Sequence, residues 1–152
     1  MGNQTTWKPR RTESHAMLVK FKCSPQSTFR WVDQMVRLID LFDGFCQVFV
    51  DKNADKAIKL FAEDANILGP GFSVSGKNEI KKFFEAEAPK IEGYTVTKKS
   101  IIEKENEIAV EWKVYHKYKP TAKEINVNGV TLITAEKGLI KSLRDYCDFP
   151  PS

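Results

Sequence analysis

From Ile91 to Asp148 the sequence reads as strand almost without interruption, and this is what most constrains the fold. Residues 91–103, 107–119, 124–135 and 139–148 are strand-like, the second of them rich in Val, Tyr and Trp. Lys104-Glu105-Asn106, Pro120-Thr121-Ala122-Lys123 and Glu136-Lys137-Gly138 divide them as tight turns. Segments joined so closely pair antiparallel. Strands of about 12 residues twist and curl, so the sheet is expected to wrap over whatever packs against it.

The last strand carries the most informative residue. Alternation puts Leu139, Lys141, Leu143, Asp145 and Cys147 on one face and Ile140, Ser142, Arg144 and Tyr146 on the other. If Leu139, Leu143 and Cys147 face inward, Asp145 goes in with them. A carboxylate among apolar neighbours is costly unless it is paired, hydrogen-bonded or protonated.

Ahead of the strands the pattern is helical. Over residues 31–50, Met35, Leu38, Phe42, Phe45 and Phe49 recur at three- and four-residue steps, with Gly44 a weak point where a bend would fit. Asn53 or Asp55 starts a short second helix, with Ala57, Ile58 and Phe61 facing in. Residues 64–68 form a short strand, broken by Gly69-Pro70-Gly71 and resumed at Phe72-Ser73-Val74. Residues 76–88 give a third helix on Ile80, Phe83 and Phe84, ended by Pro89. Helices first and an antiparallel meander afterwards define an α+β plan. Three helices packed in a strongly curved, mostly antiparallel sheet form a cone-shaped barrel with a central pocket.

The net charge of +4 is unevenly placed. Residues 1–32 hold six basic residues against Glu13 alone, while the body is close to neutral. With residues 1–30 lacking sustained periodicity, this describes a basic, irregular arm ahead of one domain at 31–149. A nucleic-acid-binding domain concentrates charge on a folded face, so no nucleic acid is expected. The arm suits an organelle transit peptide, and Met1-Gly2-Asn3-Gln4-Thr5-Thr6 fits the myristoylation pattern. Asn3-Gln4-Thr5 is also a glycosylation sequon. Cys23, Cys46 and Cys147 have no metal spacing, and no apolar run is long enough for a membrane span. A reduced, cytoplasmic protein is the expectation.

Phe61-Ala62-Glu63-Asp64-Ala65, then a small loop, then Gly76-Lys77-Asn78-Glu79-Ile80 before a helix resembles the nuclear-transport-factor-2-like superfamily. That superfamily includes SnoaL-like polyketide cyclases, ketosteroid isomerases and limonene epoxide hydrolases. The ending Arg144-Asp145-Tyr146-Cys147-Asp148 is most similar to the Arg-Asp-Tyr-Phe-Asp ending of the epoxide hydrolases. The resemblance covers roughly residues 34–149 and implies fold more than activity. Of the hydrolase catalytic set only Asp145 is retained. The arginine and second aspartate fall on Trp112 and Val114, and the Tyr and Asn that hold water fall on Ile67 and Gly69. The isomerase tyrosine maps near Phe45 and its general-base aspartate onto Gly69. Epoxide hydrolysis by that mechanism is therefore not expected.

What the resemblance leaves is an inward face on the second long strand: Val110, Trp112, Val114 and His116. On the third strand Val127, Gly129 and Thr131 do the same. Asp145 and His116 are the candidate catalytic pair, since a carboxylate can orient an imidazole for proton transfer near neutral pH. Trp112, Val114, Phe45, Phe49, Ile67, Phe72, Val127, Leu143 and Cys147 are the candidate ligand-lining residues. The resemblance implies a cofactor-free cyclase, isomerase or lyase acting on a small apolar ligand, with no metal. The alternative is a non-catalytic binding or assembly module, with Trp112 plugging the cavity. In either case the outer sheet face, near Tyr115, Lys117, Asn126, Asn128, Val130 and Lys141, is expected to pair two subunits, as this fold often does.

Overall fold

A computed structural model describes residues 36–149. The basic arm, with its targeting and modification motifs, Cys23 and the start of the first helix at 31–35, lies outside the described residues. Helix α1 (Leu38–Asp51) runs unbroken through Gly44. A Cβ there would meet Leu60 Cδ1 at 2.6 Å, so the glycine serves a close approach and not a bend. Lys52 ends α1 in the left-handed conformation, its N–H donating to Val48 O at 2.9 Å. Asn53 then caps α2 (Ala54–Ala57), its side chain accepting from Lys56 N at 2.9 Å.

A 3₁₀ turn (Ile58–Leu60) delivers the chain into β1 (Phe61–Gly69), longer than residues 64–68 and beginning at Phe61. Phe61 therefore enters the core from a strand and not from the second helix. After β2 (Phe72–Ser75), Gly76 opens α3 (Lys77–Glu87). Pro89 sits within a 3₁₀ turn (Ala88–Lys90) that leads into β3 (Ile91–Lys104), β4 (Glu107–Tyr118), β5 (Lys123–Glu136) and β6 (Leu139–Cys147). Lys137 and Gly138, both at positive φ, make the last hairpin turn.

The six strands form one curved, unclosed sheet in the order β2-β1-β6-β5-β4-β3, every pair antiparallel except β1 with β6. The cone is thus open at β2 and β3, and the helices lie across its concave face. Register shifts at Glu92/Thr95 and Lys98/Ser100 bend β3.

One bulge changes the reading of β6. Thr134 pairs with Ser142 and Ala135 with Ile140, so Lys141 is the extra residue. Ahead of the bulge, Ile140 is the inward residue, fully buried, while Lys141 turns out to Asp64. Strict alternation had Lys141 inside. Beyond the bulge the phase is restored, and Leu143, Asp145 and Cys147 face in.

Cross-strand register stacks the concave face in rows. The first, Ile67–Leu143–Ile133–Ile108, is sealed: no member exceeds 2% exposure. The next two are Asp145–Thr131–Val110 and Cys147–Gly129–Trp112. Val127–Val114 and Ile125–His116 complete the face.

Candidate functional site

Beyond the sealed row the concave face does not close. A cavity of about 530 Å³ lies between the sheet and the helices. Phe42, Phe45, Cys46 and Phe49 line it from α1, and Phe72 and Phe83 stack over its flank with centroids 4.8 Å apart. From the sheet come Ile67, Tyr94, Trp112, Val114, His116, Val127, Thr131, Asp145 and Cys147. Leu143, expected at this wall, is instead fully buried in the sealed row. Alternation gives a residue its face but not its depth.

Asp145 is held by a short relay. Trp112 Nε1 donates to Thr131 Oγ1 at 2.7 Å. The threonine hydroxyl has a single proton, and it donates that proton to Asp145 Oδ1 at 2.5 Å. Register makes the relay possible, since Thr131 is the direct cross-strand partner of Asp145. Gly129, opposite Trp112, supplies the room: a Cβ there would meet the indole at 2.5 Å and Tyr146 O at 2.6 Å.

Burial raises the Asp145 carboxyl to about 6 from an ordinary 3.8, against the Thr131 hydrogen bond, which lowers it. Such a group changes between proton donor and acceptor close to neutral pH. The thiols are the opposite case. Burial pushes Cys46 up to about 12 despite its hydrogen bond with Tyr94, and burial with Asp145 close by pushes Cys147 up to about 11. Neither is a thiolate near neutral pH, so neither is primed as a nucleophile.

His116 lines the same cavity but does not join Asp145. The two rows that carry them are six residues apart on β4, from Val110 to His116, or about 20 Å of strand path before curvature. The histidine ring packs on Tyr94 instead, with centroids 6.2 Å apart. Burial, then Lys52, lowers its pKa, and no carboxylate acts on it. The expected carboxylate–imidazole pair is therefore absent from the structure.

Trp112 does not plug the hollow. Anchored through Nε1, its indole forms part of the wall, and the cavity remains beside it. Phe72 fills the space over Gly69, where a Cβ would meet the phenyl ring at 2.2 Å, so no side chain fits at that position. Besides Phe42 and Phe83, residues outside the expected set that border the site include Thr131, Tyr94 and Cys46. Thr131 was already legible as inward-facing, but its bond to Asp145 needed the register. Tyr94 lies within the register shift between Glu92 and Thr95, where alternation fails. Cys46 sits one position from Phe45 at the margin of the aromatic stripe.

Among the described residues, no group of three or more His, Cys, Asp or Glu side chains is placed to hold a metal ion. None of their helices is long and apolar enough to cross a membrane.

Comparison with known proteins gives this geometry its context. The family model described as a SnoaL-like domain matches residues 42–143. No curated protein matches the sequence. Among solved structures, RV0760c from Mycobacterium tuberculosis, in complex with estradiol-17beta-hemisuccinate, superposes with a TM-score of 0.62 at 20% identity, covering 73% of this chain and 97% of that one. A Catenulispora acidiphila protein of ketosteroid isomerase-like fold, in complex with trimethylamine, gives 0.62 at 19% identity over 70% and 83% of the two chains. TerC, co-crystallized with polyporic acid, gives 0.61 at 16% identity over 72% and 90%.

Proposed function

The chain belongs to the SnoaL-like domain family of the nuclear-transport-factor-2-like superfamily, and from that premise we propose that it is a cofactor-free acid–base enzyme acting on a small apolar molecule. The observation that carries this reading is Asp145: one carboxyl, raised to about 6, bordering an aromatic hollow and held through one oxygen by Thr131. The free oxygen serves the chemistry. As carboxylate it takes a proton from a carbon acidified by a neighbouring carbonyl. The same proton then returns to another atom of the substrate, so nothing is gained or lost overall. Isomerisation, ring closure by carbon–carbon bond formation, and elimination all fit that cycle. Relatives crystallized with estradiol-17beta-hemisuccinate and polyporic acid support a ligand of ring-bearing, apolar character.

The test is turnover by the wild type and Asp145→Asn on a panel of β,γ-unsaturated cyclic ketones and aromatic polyketones. The expected result is turnover by the wild type and a loss of at least about 100-fold in kcat with Asn, the lower range for removing a general acid–base. Unchanged turnover in the variant removes Asp145 from the mechanism.

A second reading, a dimeric binding module, is favoured by the convex face. There Leu68, Arg144, Leu132, Ala109 and Ile102 form one register row, and Leu68, Ile102, Tyr115 and Tyr146 are exposed. Mass in solution decides it: a monomer at micromolar concentration ends the pairing.

A further inference from the structure

His116 is left without a task once Asp145 is seen to pair with Thr131. Its ring lies against the cavity from the inward face of β4, four residues beyond Trp112. It is half-buried and stacks on Tyr94 with the two planes 27° apart.

The two ring nitrogens are unequal. Nδ1 is buried with no hydrogen-bond partner. Buried donors without an acceptor are rarer in proteins than under-satisfied acceptors. A proton on Nδ1 would be such a donor, and the imidazolium form would have to carry one there. The favoured form is therefore the neutral tautomer protonated on Nε2. Burial and the nearby Lys52 ammonium act in the same direction by disfavouring positive charge. Nε2 is not closed off as Nδ1 is, and no protein hydrogen bond contributes to the titration of the ring.

We propose that His116 is a second ligand anchor, a neutral Nε2–H donor that takes an oxygen acceptor at one end of an elongated apolar molecule whose other oxygen meets Asp145. This rests on the reading of the cavity as a ligand site and adds the substrate class. The ligand is rigid or extended and apolar through the middle. It carries a hydroxyl or enolisable carbonyl at the Asp145 end and a carbonyl, ester or carboxylate at the His116 end. The separation of the two rows along β4 sets the length requirement, and the aromatic side chains between them set the apolar middle. His116 is thus a specificity residue and takes no part in moving the proton.

The test uses the full chain and two probes that differ at one end only. Estrone has a phenol and a ketone; its 17-deoxy analogue keeps the phenol alone. Wild type is expected to bind estrone about fivefold more tightly, the size of one neutral hydrogen bond. His116→Phe keeps a ring against Tyr94 and is expected to bind both probes equally, at the affinity of the wild type for the deoxy analogue. Equal dissociation constants in the wild type, or a preference that survives in the variant, overturn the anchor while the ligand site stands. Failure of both probes to bind overturns the ligand site and the anchor together. Without any ligand, nitrogen NMR should find the His116 proton on Nε2; a proton on Nδ1 contradicts the proposal.

Discussion

The sealed and hollow ends of the concave face are built from the same strands, and they differ in what the inward positions hold. At the sealed end, Ile67, Leu143, Ile133 and Ile108 meet Phe61, Ile80 and Phe84, all essentially inaccessible. At the hollow end, Gly129 withholds a side chain, Trp112 is tied to the wall through its Nε1, and a carboxyl and an imidazole occupy positions that aliphatic groups would fill. Close packing is what a core needs, and a void lined by unpaired surface forfeits it. The comparison teaches that stability and chemistry are segregated along the strands. One end holds the fold together so that the other can remain open.

The largest effect should come from breaking the sealed end. Leu143→Ala is expected to cost about 3 kcal/mol, within the range for buried leucine truncations, while Val114→Ala at the hollow wall costs about 1 kcal/mol. Denaturant unfolding of both variants reads the contrast; equal losses would dissolve the distinction between the ends.

Next in size is the pH dependence that Asp145 imposes. Its carboxyl titrates at about 6 in the folded chain against an ordinary 3.8, so between those values the folded state binds more protons than the unfolded. Stability from this group is greatest below pH 4 and declines as pH rises through 6, by on the order of 3 kcal/mol. Asp145→Asn should flatten that part of the stability–pH curve. A variant curve parallel to the wild type would assign the slope elsewhere.

Overfilling the hollow end is the converse perturbation. Gly129→Ala drives a methyl group into the indole and the Tyr146 carbonyl, with an expected loss of about 1–3 kcal/mol. Thermal unfolding checks it, and an unchanged midpoint would show that Trp112 moves freely. The smallest change is electrostatic. Thr131→Val removes the hydrogen bond that favours the carboxylate, so the Asp145 midpoint should move above its wild-type value. Carbon NMR of the carboxyl reads the shift.

Much of this division could be read in the sequence, for a physical reason: strands and helices announce themselves by period. The long strands, their turns, the stripe at Ile80 and Phe84 and the face that Asp145 shares with Leu143 and Cys147 follow from alternation and spacing, while the inward aspect of Trp112 comes from the family resemblance. What escaped depends on interruptions of the period or on pairing between segments. The Lys141 bulge shifts one residue of β6 and puts Ile140 inside, and no local signal marks it. Phe61 opens a strand where helical spacing would have kept it, because a 3₁₀ turn ends the helix first. The bond of Thr131 to Asp145, and the lack of one from His116, are properties of register between β4, β5 and β6. Single-strand alternation contains none of that information. Leu143 shows the same limit, since its face was legible and its depth along the cone was not.

The claim beneath all of this is that Asp145 faces an apolar hollow and is held there by one hydroxyl. Carbon NMR titration of its side-chain carboxyl in the ligand-free protein tests it most directly. A midpoint near 6 is expected. A midpoint at the ordinary value of about 3.8 would mean a solvated carboxylate, and would contradict both the hollow and the chemistry assigned to it.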